Sequence, residues 1–252
     1  MLRARERIQE IIFGAIGIGL FLVLWQIIGV YKLAGLTWPP LTQVLTFLFD
    51  PSRQALFLRA TGATLSVAAL GYIVGGVVGM ALAAAVHMFP ILRPGMDRLS
   101  SVVHAIPAIA LAPIFIVLIS RDFTGMAIAA LNVFFVLYVG TTSGLMNSTQ
   151  SHRDLFTVLG ASKQMRFVRL DLPAALPAIV SGMKYAVPAA FIGAILGEWF
   201  GSSHGLGLLI VSAMQNFQIP LLWSAVLIAA GASLLAFGAM TLLERLVYGR
   251  FQ

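Results

Sequence analysis

Side chains able to do chemistry are sparse in this sequence, and they stand apart. His87, His104, His152 and His204 lie on different segments with no ligand-like spacing to one another, and there is no cysteine. No Ser/His/Asp set stands out along the chain as a nucleophilic one. The glycine-rich loop ending in Gly-Lys-Ser/Thr that would cradle nucleotide phosphates is missing. The residues therefore predict no catalytic group, no metal site and no cofactor held by this chain. Two ionisable residues sit in or beside long apolar runs, Lys184 and Glu198. An ionisable group inside a membrane segment is a functional candidate by default. Lys184 lies near the end of its run, where its stem could snorkel to the interface. Glu198 reads first as a structural acid at the end of a span and second as a proton or substrate site.

The elements that must position these residues follow from composition. Of 252 residues, 60% are hydrophobic and only 10% are charged, against about 25% charged in ordinary soluble domains. Mean hydropathy is +0.96. Too few charged side chains exist to clothe a soluble globule, and disorder or a disulfide scaffold is excluded. A bilayer core needs roughly 20 apolar helical residues. Charge-poor windows predict six spans, at 11–31, 64–86, 99–119, 124–143, 178–198 and 221–243. The runs are long and continuous rather than short and alternating, which favours helices over a closed barrel. The first window is long for a signal peptide, and Val30-Tyr31-Lys32 is a poor cleavage site, so an uncleaved span is expected.

The net charge of +7 reads as topology rather than as nucleic-acid binding. With the N-terminus inside, Arg3, Arg5, Arg7, Arg93, Arg98, Arg153, Lys163, Arg166, Arg169, Arg245 and Arg250 fall on the cytoplasmic side. Only Lys32, Arg53, Arg59 and Arg121 fall outside. Both termini are therefore expected in the cytoplasm. The chain divides, on this reading, into an N-terminal span with its outer loop (1–62) and a five-helix core (63–252). Trp38-Pro39-Pro40 fixes an extended turn in that outer loop, followed by a short interfacial helix. Gly71, Gly75 and Gly79 recur every four residues and line one helical face, where another backbone can approach closely. Pro107 and Pro113 invite kinks in the third span.

The loop at 144–177 is the most informative segment. Ser151 followed by Asp154 resembles a capping box with Asp in place of Glu. Leu155, Phe156 and Leu159 then give a short helix, 151–159, an apolar side, and Gly160 ends it. Lys163, Arg166 and Arg169 form a basic stripe on a following segment that Pro173 and Pro177 stop. A short helix with apolar residues in a tight loop needs something to cover it. From the residues alone, a protein partner and an anionic lipid surface are both open.

The pattern resembles the integral membrane permeases of bacterial ATP-binding-cassette importers. Their signature is Glu-Ala-Ala, three residues, Gly, nine residues, Ile, one residue and Leu-Pro. Here Asp154-Leu155-Phe156 stands at the first three positions, Gly160 at the glycine, Leu170 at the isoleucine and Leu172-Pro173 at the end, with unbroken spacing. Ile106-Pro107, Ala112-Pro113, Pro173 to Pro177, Ser181 to Ala186, Glu198 and Gly205-Leu206-Gly207 extend the likeness. Within the family the chain is most similar to permeases for sulfonates, taurine, nitrate, bicarbonate and related small compounds.

This resemblance implies an all-α polytopic protein of about six transmembrane helices, with a cytoplasmic coupling helix between spans four and five. It implies a multi-pass location in the bacterial inner membrane and a pathway shared with a second permease copy. It further implies two ATPase subunits, which hold ATP and Mg, and a periplasmic solute-binding protein. Asp154, Leu155, Phe156, Leu159, Gly160, Lys163 and Arg166 become the expected ATPase-docking residues. Gly71, Gly75, Gly79, Pro107, Pro113, Lys184 and Glu198 become structural or pathway candidates. The alternative is a stand-alone secondary transporter or channel, which would need its own ionisable coupling site within the spans.

Overall fold

The computed structural model describes residues 2–249, with side chains described at residue 9 and from residue 12 onward. The side chains of Arg3, Arg5 and Arg7, and Arg250 altogether, entered the orientation count and lie outside the described residues. Every element is helical among the described residues. In chain order these are α1 (Leu2–Val30), α2 (Leu41–Leu48), α3 (Gln54–Met88), α4 (Arg93–Ala105), α5 (Ala108–Leu118), α6 (Arg121–Leu145) and α7 (Gln150–Val158). There follow α8 (Lys163–Arg166), α9 (Leu172–Glu198), α10 (Leu206–Gln215) and α11 (Ile219–Tyr248). Five stretches are long and apolar enough to cross a bilayer, and the bent α4–α5 pair brings the number to six when it is counted as one span. The protein is thus an all-α polytopic membrane protein.

Helices run past the apolar windows. The second span, expected at 64–86, is part of a helix that begins at Gln54. Hydropathy marks only the stretch that lipid would cover, whereas backbone hydrogen bonding continues through polar ends. The third window, expected as one kinked helix at 99–119, is two helices bent by 96°. The break falls at Ile106-Pro107. Proline drives the residue before it out of the α region, and Ile106 is extended with ψ 123°. Pro107 then caps the start of α5, and Pro113 stays inside it without a break.

The segment after the loop does not stop at Pro173 as expected. Residues 163–198 run on as one long helical span. A wide turn over Phe167–Asp171 joins α8 to α9, with the Leu172 N–H reaching back five residues to the Phe167 carbonyl. In a regular helix the ring of Pro173 would clash with the carbonyl four residues before it. The wider π turn absorbs that clash, and such turns recur at functional positions.

The chain forms two compact units, residues 1–58 with 209–227, and residues 59–208 with 228–252. Within the smaller unit Trp223 bonds to the loop that follows α1. In this unit Trp25, Trp38 and Trp223 meet as a triad, with ring centroids 4.7–5.3 Å apart. Trp25 donates to the Pro39 carbonyl at 3.1 Å and Trp223 to the Thr37 carbonyl at 2.9 Å. The Trp-Pro-Pro stretch is thereby pinned between α1 and α11. Gly29 allows Pro40 to lie against α1, where a Cβ would meet the Pro40 ring nitrogen. Just before α3, Asp50 accepts from the Ser52 hydroxyl and N–H at 2.7 and 2.9 Å, and these bonds hold its carboxyl below the usual range.

The larger unit is organised on α6 and α9, which pack backbone to backbone. A Cβ on Gly197 would strike Gly125, and one on Gly193 would strike Ala129. Toward the other end Gly140 faces Gly182, and Gly144 faces Ala175 and Ala178. The two helices therefore run antiparallel, with small residues at almost every layer. Gly71, Gly75 and Gly79 bring α3 onto α6 in the same manner, and a Cβ on Gly75 would collide with the Ala130 carbonyl. Without a hydrophobic drive between helices in lipid, such close packing is what holds spans together. Val133, Leu137, Ala186, Ala190 and Phe191 fill the remaining core.

Gly75→Ala and Gly193→Ala should each destabilise the protein by about 1–3 kcal/mol, the usual cost of overpacking. Gly231→Ala, where nothing lies within 4 Å, should not. Thermal unfolding in detergent, followed by circular dichroism, checks the contrast.

Candidate functional site

The loop between α6 and α9 joins the facing ends of the two most closely packed helices. Helix α7 starts earlier than expected. Thr149, with φ −67° and ψ 149°, occupies the cap position, and no side chain caps the helix. The capping box assigned to Ser151 and Asp154 is not formed. Because the helix begins at Gln150, Asp154 stands a full turn inside it, and its Oδ1 accepts from Gln150 Nε2 at 2.8 Å. Gly160 has φ +68°. Its N–H bonds to Thr157 O at 3.0 Å and that of Ala161 bonds to Phe156 O at 2.9 Å, a glycine-terminated helix end. Ser162, which the sequence reading passed over, caps α8 by accepting from the Met165 N–H at 3.2 Å.

The apolar face of α7 differs from the expected set by one residue. Leu155, Val158 and Leu159 are 52%, 85% and 72% exposed, at the i, i+3, i+4 spacing of one helical side. Phe156 is half-buried. The basic stripe also divides. Lys163 and Arg169 face outward, while Arg166 turns inward toward Asp171.

Asp171 is the anchor of this loop, and sequence reasoning missed it. Held in the wide turn before α9, it is 1% exposed. His87 Nε2, at the end of α3, lies 2.9 Å from Oδ2, and Ser148 Oγ donates to Oδ1 at 2.8 Å. Arg166 and Arg153 approach at 3.6 and 4.0 Å. Arg153, on α7, also donates to Ser148 Oγ at 2.7 Å. One buried carboxylate thus ties α7, α8 and the 146–149 turn to the ends of α3 and α9. The available signal was a lone acid closing a basic stripe just before a long apolar run.

The remaining candidates fall into two further clusters. Lys184 does not snorkel alone. Its Nζ donates to Glu244 Oε2 at 2.6 Å, and Ser181 Oγ donates to the other carboxylate oxygen at 2.6 Å. Glu244 lay just past the expected end of the sixth span, so the pair was not seen from sequence. Glu198 is 2% exposed. Its Oε2 accepts from Thr64 Oγ1 at 3.0 Å and from the Gly207 N–H at 2.8 Å, while Thr64 Oγ1 accepts from the Leu206 N–H at 2.8 Å. Glu198 and Thr64 together satisfy the first free N–H groups of α10. Gly205, with φ +122°, leaves the space that the Glu198 carboxylate fills. The spacing from Glu198 to Gly205-Leu206-Gly207 is thus that of a helix cap supplied from a distant residue.

Asp171→Asn keeps the shape and removes the charge, leaving the partly exposed Arg153 and Arg166 without their carboxylate. It should raise amide exchange in 146–171 and cost about 1–3 kcal/mol, with exchange in the 124–143 stretch of α6 little changed. Hydrogen–deuterium exchange with mass spectrometry reads both.

Comparison with known proteins shows the family and the fold. Residues 71–248 match the family described as the binding-protein-dependent transport system inner membrane component. The formylaminopyrimidine transport permease protein ThiX of Halalkalibacterium halodurans is 30% identical over 231 residues, covering 90% of this chain and 91% of that one. A putative aliphatic sulfonates transport permease protein, SsuC of Bacillus subtilis, is 28% identical over 235 residues, covering 89% and 82%. The inward-facing MetNI methionine ABC transporter shares the fold, with a TM-score of 0.66 and 15% identity over 79% of this chain and 99% of that chain. The small-residue helix pair, the glycine-terminated loop helix and the distant cap on α10 are therefore features of a chain that belongs to the inner-membrane permeases of binding-protein-dependent ABC importers.

Proposed function

We propose that α7 is the docking point for a separate ATPase subunit, and that the chain pairs with a second permease copy to form a pathway fed by a solute-binding protein. The observation that carries this is the unpartnered apolar edge of Leu155, Val158 and Leu159 on a helix tied to the spans through Arg153, Ser148 and Asp171. Burying an aliphatic side chain of this size contributes about 1.5–3 kcal/mol, so three of them form an adequate docking patch. Asp154, Phe156 and Lys163 stand around that patch, Gly160 fixes its end, and Arg166 acts from behind through Asp171.

On this reading ATP and Mg belong to the ATPase pair, and this chain holds neither. Closure of the pair pushes on α7, and the push enters α3 and α9 together because both end at Asp171. Both termini and the 146–171 loop lie in the cytoplasm, in keeping with the excess of Lys and Arg there. The cargo is a small compound of the sulfonate, taurine, nitrate or bicarbonate kind. The ThiX relative adds a formylated aminopyrimidine to that range.

A stand-alone transporter is less well supported. It would need an ionisable group free to load and release within the spans. Lys184 is neutralised by Glu244, and Glu198 is built into the cap of α10.

Val158→Asp with Leu159→Asp should abolish co-purification of the ATPase and reduce uptake by on the order of tenfold or more. Phe156→Ala should leave ATP hydrolysis running while uptake falls. Solute uptake by this chain alone in proteoliposomes, without any ATPase, would overturn the proposal.

A further inference from the structure

Behind α7, in the larger unit, lies a pocket of about 200 Å³ that the proposed transport cycle does not use. Its walls carry His87, Arg93, Thr142, Met146, Arg153 and Arg166. Three guanidinium groups here meet two carboxylates, Asp97 and Asp171. The guanidinium groups outnumber the carboxylates by one.

The ion pairs that do form are loose. Arg93 lies 3.5 Å from Asp97, Arg166 lies 3.6 Å from Asp171 and Arg153 lies 4.0 Å from Asp171, against about 2.7–2.9 Å for a good charge-assisted bond. The reason is geometric. His87 and Ser148 already take the short contacts on the two Asp171 oxygens, at 2.9 and 2.8 Å. Arg166 Nε is buried and has no hydrogen-bond partner. Arg93 finds the thioether sulfur of Met146, a weak acceptor. A buried guanidinium donor left without an acceptor is costly, and here Arg166 Nε and the Thr142 hydroxyl, both buried and unpartnered, line a space with room for more than a water molecule.

We propose that this pocket is a binding site for one tetrahedral oxyanion, a phosphate or phosphate monoester, held by Arg93, Arg153 and Arg166 with the Thr142 hydroxyl as a further donor. Arginine forks match such oxygens in pairs. The three arginines come from α4, α7 and α8, so a bound anion would cross-link the bent span to the loop. Two sources offer this chemistry, a phospholipid headgroup and soluble phosphate. The site does not depend on the ATPase, and its failure would leave the docking proposal untouched.

The test uses the full-length chain, purified in phosphate-free buffer and nonionic detergent. Inorganic phosphate is titrated against thermal unfolding, with sodium chloride at matched ionic strength as the control. Native mass spectrometry in parallel counts retained phospholipid before and after phosphate is added. A saturable phosphate-dependent rise in Tm assigns soluble phosphate, and retained lipid that phosphate displaces assigns a headgroup. Either response should weaken by on the order of tenfold in Arg166→Gln, the loss expected for one charge-assisted hydrogen bond. Arg93→Gln, at the more exposed rim, serves the same purpose if the first variant does not fold. No response in the wild type, or an equal response in wild type and Arg93→Gln, would overturn the proposal.

Discussion

The backbone-to-backbone contact of α6 with α9 is the constraint on which the rest of the larger unit depends. In lipid the hydrophobic effect gives helices no reason to prefer one another over the surrounding chains. What remains is dispersion, about 0.1–0.2 kcal/mol for each atom pair at optimal distance. Only dense contact makes that sum count. Gly125 against Gly197, Ala129 against Gly193, and Gly144 against Ala175 and Ala178 supply it along almost the whole length of the pair. Because the loop at 146–171 springs from the facing ends of these two helices, a force applied there meets a stiff body rather than two separate rods.

The polar groups fit the same logic. Asp171, Lys184, Glu244 and Glu198 perform joining tasks. Asp171 gathers the loop to α3 and α9, the Lys184–Glu244 pair joins α9 to α11, and Glu198 secures the start of α10. In a low-dielectric setting an unpaired charge is expensive, so paired charges act as selective joints. The chain uses this charge to hold its parts in register.

The spans and the loop helix were legible in the sequence because hydropathy and the Gly160 and Leu172-Pro173 spacing are local signals. The glycine stripe of α3 was legible because four-residue recurrence defines one helical face. What was not legible depended on distance. Asp171 and His87 are 84 residues apart, and Thr64 and Glu198 are 134 apart, so no local pattern could join them. The Asp154 capping box failed for a different reason. The spacing was right, but the helix began at Gln150, and a cap motif has meaning only relative to the true first residue. The break at Ile106 was visible as a proline, but the size of the bend was not.

The wide turn at Phe167–Asp171 carries a consequence for how the permease tolerates change in length. One residue of a regular helix corresponds to about 100° of rotation. Removing a single residue from this turn would take away the width that accommodates Pro173 and would rotate α8 and the loop helix relative to α9. The loop helix would keep its sequence and its fold while presenting a different side to whatever lies beneath it. Substitutions on that surface and a one-residue deletion far from it could therefore silence the protein by the same route.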